Sequence, residues 1–502
     1  MQVFKNAFWV YAQKISTALI TLVSTPITLR NLGVEDYGIY TLTIGLVALF
    51  GFINWSLTVS TQRFITIGIV NDNENDLVTT FSTSFFIHLA YGLLLLFMIL
   101  TFGYFFTEFI LEIPMNKIEI AKKVLIFVAF ISFFQMIGIP FQGLLQAYEN
   151  LKVVSIIGVM DSILKLNAAF LLFMAPFNKL VFFSLLMAIS ALLIYLAYFI
   201  YCRKNYTIIS LSWNNFSKNK FIEMMGFTSW NIFGAVAILG RNQGMAVVLN
   251  IFFGVVANAA YGVALQIQAA LGVFSQGIVA AMTPKILKSA GRNEEKLMLN
   301  NAYLTAKYGL FVMSFVCVPL LINMNNILSL WLSEVPEDAE IFSKLIIVFL
   351  LCTAFSVGIQ TIFHGINKVK VYNITISTIL LLNLPISALL FTFNFPAYSI
   401  FLVSISLEVL SFLVRLLLLK KHIVFSPQNY LLKFSKELVI PFLLAYAIVS
   451  VVASQFHDVL SQLFTTVILS TMILGVVFYF FSMSSDEKNS LKPLINKIPF
   501  LK

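Results

Sequence analysis

Charge is scarce in this chain. Only 11% of the 502 residues are Asp, Glu, Lys or Arg, while 60% are hydrophobic and mean hydropathy is +0.93. A soluble domain needs roughly a quarter of its residues charged to cover its surface, so this composition belongs to a chain solvated by lipid. Cysteine is nearly absent. Cys202, Cys317 and Cys352 lie in or beside apolar runs, with neither metal-ligand spacing nor a disulfide framework, and read as membrane packing. The four histidines show no paired-ligand spacing either, so neither a metal nor a cofactor is expected. Long hydrophilic stretches are also missing. The longest between apolar runs, residues 203–225, is too short for a folded catalytic domain, which argues against an enzyme. The first apolar run has the length of a span and no small-residue cleavage signature, so it is expected to be retained.

What the chain has instead is a series of apolar runs. A ~30 Å hydrocarbon core takes roughly 20 residues per helix. Fourteen runs meet that length: six between roughly 6 and 201, six between roughly 226 and 419, and a pair at roughly 438–456 and 460–483. Backbone polar groups in lipid must pair internally, so the expectation is an all-α polytopic protein with 14 transmembrane helices. Most of the 32 Lys and Arg fall in cytoplasmic segments if the N-terminus is cytoplasmic, which puts the C-terminus there too. The +10 net charge is then topology, and no nucleic-acid partner is expected. One stretch runs against the trend: Asp72, Glu74 and Asp76 are acidic yet fall inside.

The sequence also repeats itself. Tyr37-Gly38 recurs as Tyr261-Gly262, Phe109 to Pro114 as Trp331 to Pro336, and Phe141-Gln142-Gly143 as Phe363-His364-Gly365. The glycine of Leu32-Gly33-Val34 matches that of Phe253-Gly254-Val255 in the same way. Such matches in register imply duplication. Because six spans separate the copies, both halves start on the same side, and the repeat is parallel. The expected divisions are an N-terminal six-helix lobe at 1–202, a cytoplasmic linker at 203–225 and a C-terminal six-helix lobe at 226–421. An appended pair at 438–483 and a cytoplasmic tail at 484–502 complete them.

With this arrangement, Leu29 through Tyr40 and the span up to Gln62-Arg63-Phe64 resemble the bacterial polysaccharide-unit flippases. These Wzx-like translocases of O-antigen and capsule units belong to the multidrug/oligosaccharidyl-lipid/polysaccharide exporter superfamily, and the resemblance extends over essentially the whole chain. It implies alternating access in the bacterial inner membrane, through a central and often cationic cavity. The implied cargo is an undecaprenyl-pyrophosphate-linked oligosaccharide, carried for O-antigen or capsule synthesis. A coupling ion (proton or sodium), membrane lipids and polysaccharide polymerase machinery are the implied partners. The alternative is a cation-coupled multidrug or toxin extruder of the same superfamily. A membrane glycosyltransferase, polymerase or ligase using Glu334 or Glu337 is a third reading, disfavoured by the short outer loops and the repeat.

Ionisable groups inside spans cost at least ~2.5–3.5 kcal/mol each on insertion scales, so they default to a bundle interior or a water-filled cavity. Lys14, Thr17, Thr21, Ser24 and Thr28 form one polar stripe on the first helix, which also holds Pro26. Ordinary Ser/Thr packing between helices competes with a cavity role for that stripe. Ser56, Ser60 and Arg63 share a face of the second span. Arg63 is a candidate for phosphate capture, with snorkelling to the head groups as the rival. Asp161 and Lys165, four apart, can pair with each other or serve substrate or ion exchange. Arg241 has no acidic neighbour in sequence and is the leading candidate for phosphate or sugar-acid contact. In the twelfth span Ser404, Glu408, Ser411 and Arg415 share a face. Glu408 is a candidate for ion coupling, or a partner for Arg241 or Lys165.

Overall fold

The computed structural model describes residues 2–33, 36–37, 39–40, 43–44, 51–109, 115–332, 335–456, 459–485 and 487–489. Among them every regular element is helical. They run α1 Gln2–Leu32, α2 Gly51–Val70, α3 Glu74–Phe109, α4 Ile118–Ala147, α5 Leu151–Leu171 and α6 Lys179–Asn205. Then come α7 Lys218–Gly254, α8 Val256–Gly291, α9 Glu295–Trp331, α10 Ala339–Gly365, α11 Val369–Thr392, α12 Ser399–Lys420, α13 Pro427–Ala453 and α14 Ser461–Ser482. Twelve of these, α3 to α14, are long and apolar enough to cross a membrane. The protein is a multi-pass helical membrane protein. Helices α1 and α2 fall outside that set. Helix α1 carries Lys5, Lys14 and Arg30 beside its hydroxyl stripe, and part of the second expected span lies outside the described residues.

Local chemistry sets the helix ends. Asn178 accepts from the backbone N–H of Leu180 and Val181 at the start of α6, and Ser217 accepts from Lys220 N at the start of α7. Ser426 caps α13, where Pro427 fills the first turn without wasting a donor. Gly33 closes α1 at φ +82°, donating its N–H to Leu29 O (2.8 Å), and Gly254 breaks α7 from α8 at φ +76°. Among the described residues these are the two glycines with positive φ, 221 residues apart. Asp72 (φ 49°) and Asn293 (φ 56°) recur at the same offset in the α2–α3 and α8–α9 turns. The backbone thus repeats the duplication seen in the sequence. Of the sequence echoes, 110–114 and 333–334 lie outside the described residues, as do Val34, Glu35 and Gly38.

The helices gather into two compact units. One comprises 1–236, 280–294 and 364–373, the other 237–279, 295–363 and 374–502. These boundaries differ from the expected lobes: the division falls within α7, and two short stretches of the second half join the first unit. In the first unit α1 packs on α5, and α4 takes α2, α3 and α6 around it. Phe81 and Phe141, both fully buried, meet edge to face at 5.4 Å. In the second unit α9 packs on α13 and α14 through Val318, Ala445, Val449 and Leu474. Phe97, Phe464 and Met472 stand exposed, as lipid-facing side chains do at no cost.

The linker after α6 is ordered and lies on the start of α3. Thr207 donates to Glu74, Ser217 N donates to Thr83, and Trp213 meets Phe86 edge-on at 4.7 Å. Lys220 pairs with Asp76 at 2.8 Å. The acidic stretch that opposed the charge trend is therefore balanced locally by the linker.

Candidate functional site

The polar stripe of α1 finds its purpose in a cavity of about 220 Å³ within the first unit. Thr17, Thr21, Ser24, Thr25 and Thr28 of α1 line one wall; Asp161, Ser162 and Lys165 of α5, with Tyr37, Tyr40, Phe183 and Met187, supply the rest. The stripe's hydroxyls largely return their protons to their own helix, Thr21 to Thr17 O (2.8 Å) and Thr28 to Ser24 O (2.9 Å). Each keeps lone pairs free to accept from a ligand. Thr17 and Ser162 share a hydrogen bond at 2.9 Å that ties α1 to α5. Lys165 Nζ donates to Asp161 Oδ2 at 2.6 Å, and both side chains remain partly exposed. Among the described residues the cavity is thus rich in hydroxyls and aromatic faces and carries one neutralised ion pair. Lys14, the charged group of the stripe, is half-buried and does not line the cavity.

The other candidates sit elsewhere. Arg63 lies about 10 Å inside the end of α2, counting 1.5 Å per residue to Val70. It is 4% exposed and does not snorkel. Its Nε donates to the carbonyl of His364 and its Nη2 to that of Gly365 (3.4 Å), at the C-terminal end of α10. Phe64 and Phe227 face the guanidinium at 4.6 and 4.9 Å.

Arg241, in the second unit, is 5% exposed. It donates through Nε and Nη2 to Asn242 Oδ1 (3.3 and 3.0 Å) and stacks over Phe349 at 4.9 Å. Tyr261, Gln268 and Ser404 join it around a void of about 10 Å³, room for a single water. Glu408 pairs with Arg415 on its own helix at 2.8 Å, both nearly fully buried. Ser356, at the turn that divides α10, donates to Glu408 (3.2 Å) and accepts from Arg415 (2.8 Å). Among the described residues the Glu408 carboxylate forms no ion pair with Arg241. The spacing of 408 and 415, two helical turns, contained this pair, but a seven-residue step is easily passed over beside the four-residue one.

Sequence reasoning missed Lys307. Its ammonium, 2% exposed on α9, meets Glu487 of the C-terminal tail at 2.6 Å. Tyr308 Oη and Ser484 N also donate to that carboxylate, at 2.6 and 2.7 Å. Nearby, Tyr303 Oη donates to Glu437 at 2.7 Å. Together these clamp the appended helix pair and the tail onto α9. The signal was there, a lysine just inside an apolar run, but its partner lies 180 residues away.

Comparison with known proteins follows the same lines. Residues 233–389 match the MatE family model. A putative O-antigen transporter of Shigella flexneri is 38% identical over 88 residues, a match spanning 17% of this chain and 21% of the relative. Among solved structures, an outward-facing multidrug resistance MATE family transporter of the MOP superfamily superposes with a TM-score of 0.66 at 15% identity. That match takes in 82% of this chain and 93% of the other. A MATE transporter in its bent conformation gives 0.71 at 14% identity, over 82% and 94%. A MOP superfamily transporter of Pyrococcus furiosus, described as having a binding pocket of reversed polarity, gives 0.64 at 16%, over 82% and 94%. At such identities the likeness shows the fold, and that fold is the one these MATE transporters share.

Proposed function

We propose that this chain is an exporter of the MOP superfamily with its N-terminus in the cytoplasm. It works by alternating access in the bacterial inner membrane, on lipid-linked oligosaccharide units for surface polysaccharide. The observation that carries the cargo is the charge of the first-unit cavity. Among the described residues its one carboxylate, Asp161, is already held by Lys165 at 2.6 Å, and the remaining polar surface is hydroxyl and phenol. Hydroxyl-rich walls with tyrosine faces suit sugars, which present hydroxyls and weakly polar C–H faces. They give an organic cation no uncompensated negative charge. A polyprenyl tail stays in lipid while the head group crosses such a cavity. The segment similar to a putative O-antigen transporter supports this reading. Deleting the gene in its host, in a strain with no paralogue, is expected to remove surface polysaccharide and trap lipid-linked units in the cytoplasmic leaflet. Normal polysaccharide in that strain would reject the proposal.

A second reading, a cation-coupled multidrug extruder, has the weight of the structural comparisons, because the similar solved structures include a multidrug resistance transporter. It predicts lost drug resistance with intact polysaccharide in the same deletion strain.

A further inference from the structure

Two short stretches from the second half of the sequence, 280–294 and 364–373, are built into the first unit, each flanked in sequence by residues of the second. Polar and apolar contacts hold them there, Val369 packing in a cluster with Phe64 and Phe227 and Lys370 standing over the Trp230 ring at 5.1 Å among them. Lys288 Nζ pairs with Glu149 at 2.6 Å, and Asn373 Nδ2 donates to Trp230 O at 2.6 Å. Arg63 adds its own contact, capping the last carbonyls of α10. The repeat converges on this spot. Gly143 packs against Thr61, and Gly365, its counterpart 222 residues later, presents its carbonyl to Arg63 two residues along the same helix.

Arg63 is held in an unusual way. Its partners are uncharged carbonyls, its Nη1 has no acceptor although buried, and the neighbouring His364 Nε2 is likewise unpaired. Among the described residues no carboxylate lies within ion-pair distance of it. A helix C-terminus attracts a cation, but carbonyl dipoles compensate a desolvated guanidinium less than an anion does. A phosphate would offer the planar fork two charged oxygens and would engage the idle Nη1. Bound across Nη1 and Nη2 it would take the place of the Gly365 carbonyl and draw the guanidinium away from that of His364.

We propose that Arg63 is the release element of a cytoplasmic latch: it holds residues 364–373 on the first unit in the resting protein, and an arriving phosphate exchanges for the two carbonyls and frees them. The latch itself stands on the contacts above; its release by phosphate rests on the proposed cargo. Release of residues 364–373 then waits on cargo, because the contact that must break is the one cargo competes for.

The test is a distance measurement between spin labels at Asn71→Cys and Lys368→Cys, both exposed turn positions, in full-length protein with the native cysteines replaced by Ala, in lipid nanodiscs. Without additions, the unaltered latch is expected to give one short distance, and Arg63→Ala to raise the long-distance population roughly tenfold. Arg63→Lys, with one compact donor group in place of the fork, should fall between them. It decides the matter if the Ala variant is not monodisperse. Polyprenyl phosphate in the nanodisc should produce the Ala pattern in protein with Arg63 and change nothing further in the variant. Inorganic pyrophosphate in solution separates recognition of the phosphate itself, if it acts alone, from recognition that needs the lipid. A latch variant whose distances match those of the parent overturns the latch. A shifted variant with no response of the parent to either phosphate overturns the release step. If ethidium shifts the parent instead, the cargo reading falls and the latch stands.

Discussion

Glu487, near the C-terminal end of the chain, holds the ammonium of Lys307 at 2.6 Å in the middle of a helix contact that leaves the lysine 2% exposed. Burial alone raises the Glu487 carboxyl. Hydrogen bonds from Lys307, Tyr308 and Ser484 N, together with the lysine's charge, outweigh that and hold it below its ordinary 4.5. A carboxyl with a lowered folded pKa contributes stability above its unfolded pKa and loses it as pH falls through the folded one. The melting temperature of the purified protein should therefore drop below about pH 4.5. In Glu487→Gln it should already be lower at pH 7, with the pH-dependent step reduced. An unchanged profile in that variant would show that the tail does not stabilise the fold.

The buried pair of α12 gives a sharper stability test. Arg415→Met leaves Glu408 desolvated with the Ser356 hydroxyl but no paired cation, which should cost about 3–5 kcal/mol, read as a large loss of folded yield or melting temperature. Adding Glu408→Leu should recover most of the loss, because a well-packed apolar pair is close in energy to a buried ion pair. If Glu408→Gln instead abolishes ion-dependent transport while the melting temperature holds, Glu408 is a coupling site.

The cavity pair separates the two cargo readings. Lys165→Met leaves Asp161 as a bare anion, and Asp161→Asn leaves Lys165 as a bare cation. Under the sugar-phosphate reading Lys165→Met should lower surface polysaccharide several-fold at equal protein level, with the Asp161→Asn variant nearer normal. A multidrug extruder should show the reverse order in drug resistance. The measurement is polysaccharide output and drug susceptibility side by side in complemented deletion strains.

Gly254 should tolerate no ordinary side chain. Nothing lies within 4 Å of where its Cβ would be, so the cost of Gly254→Ala is purely that of φ +76°. With ψ at −163° it is expected at about 1–3 kcal/mol, and Gly33→Ala should cost about 1–2 kcal/mol. Asn at position 33, closing the helix, should cost less than Ala; at 254, where ψ is −163°, the backbone is essentially glycine's alone and Asn should bring no relief. Melting temperatures of the four single variants check both the sign and the order.

Much of this protein was settled by the sequence. Apolar runs of span length have one fate in lipid, because unpaired backbone groups are too costly there. Helices were therefore readable from α3 to α14, as was the match between the glycines of the two copies. Asp161 and Lys165 were readable for the same reason: a one-turn step puts their side chains together on any helix. Local rules could not reach partners that are far apart in sequence. Only folding could say that Arg63 would meet carbonyls 301 residues away, that Lys307 would be answered by the tail, or that the linker would neutralise Asp76. Nor could spacing tell that Lys14 would stand off from the cavity its stripe helps to line. In a membrane interior a charge must find compensation somewhere. The sequence shows which charges carry that debt, and tertiary packing alone decides what meets it.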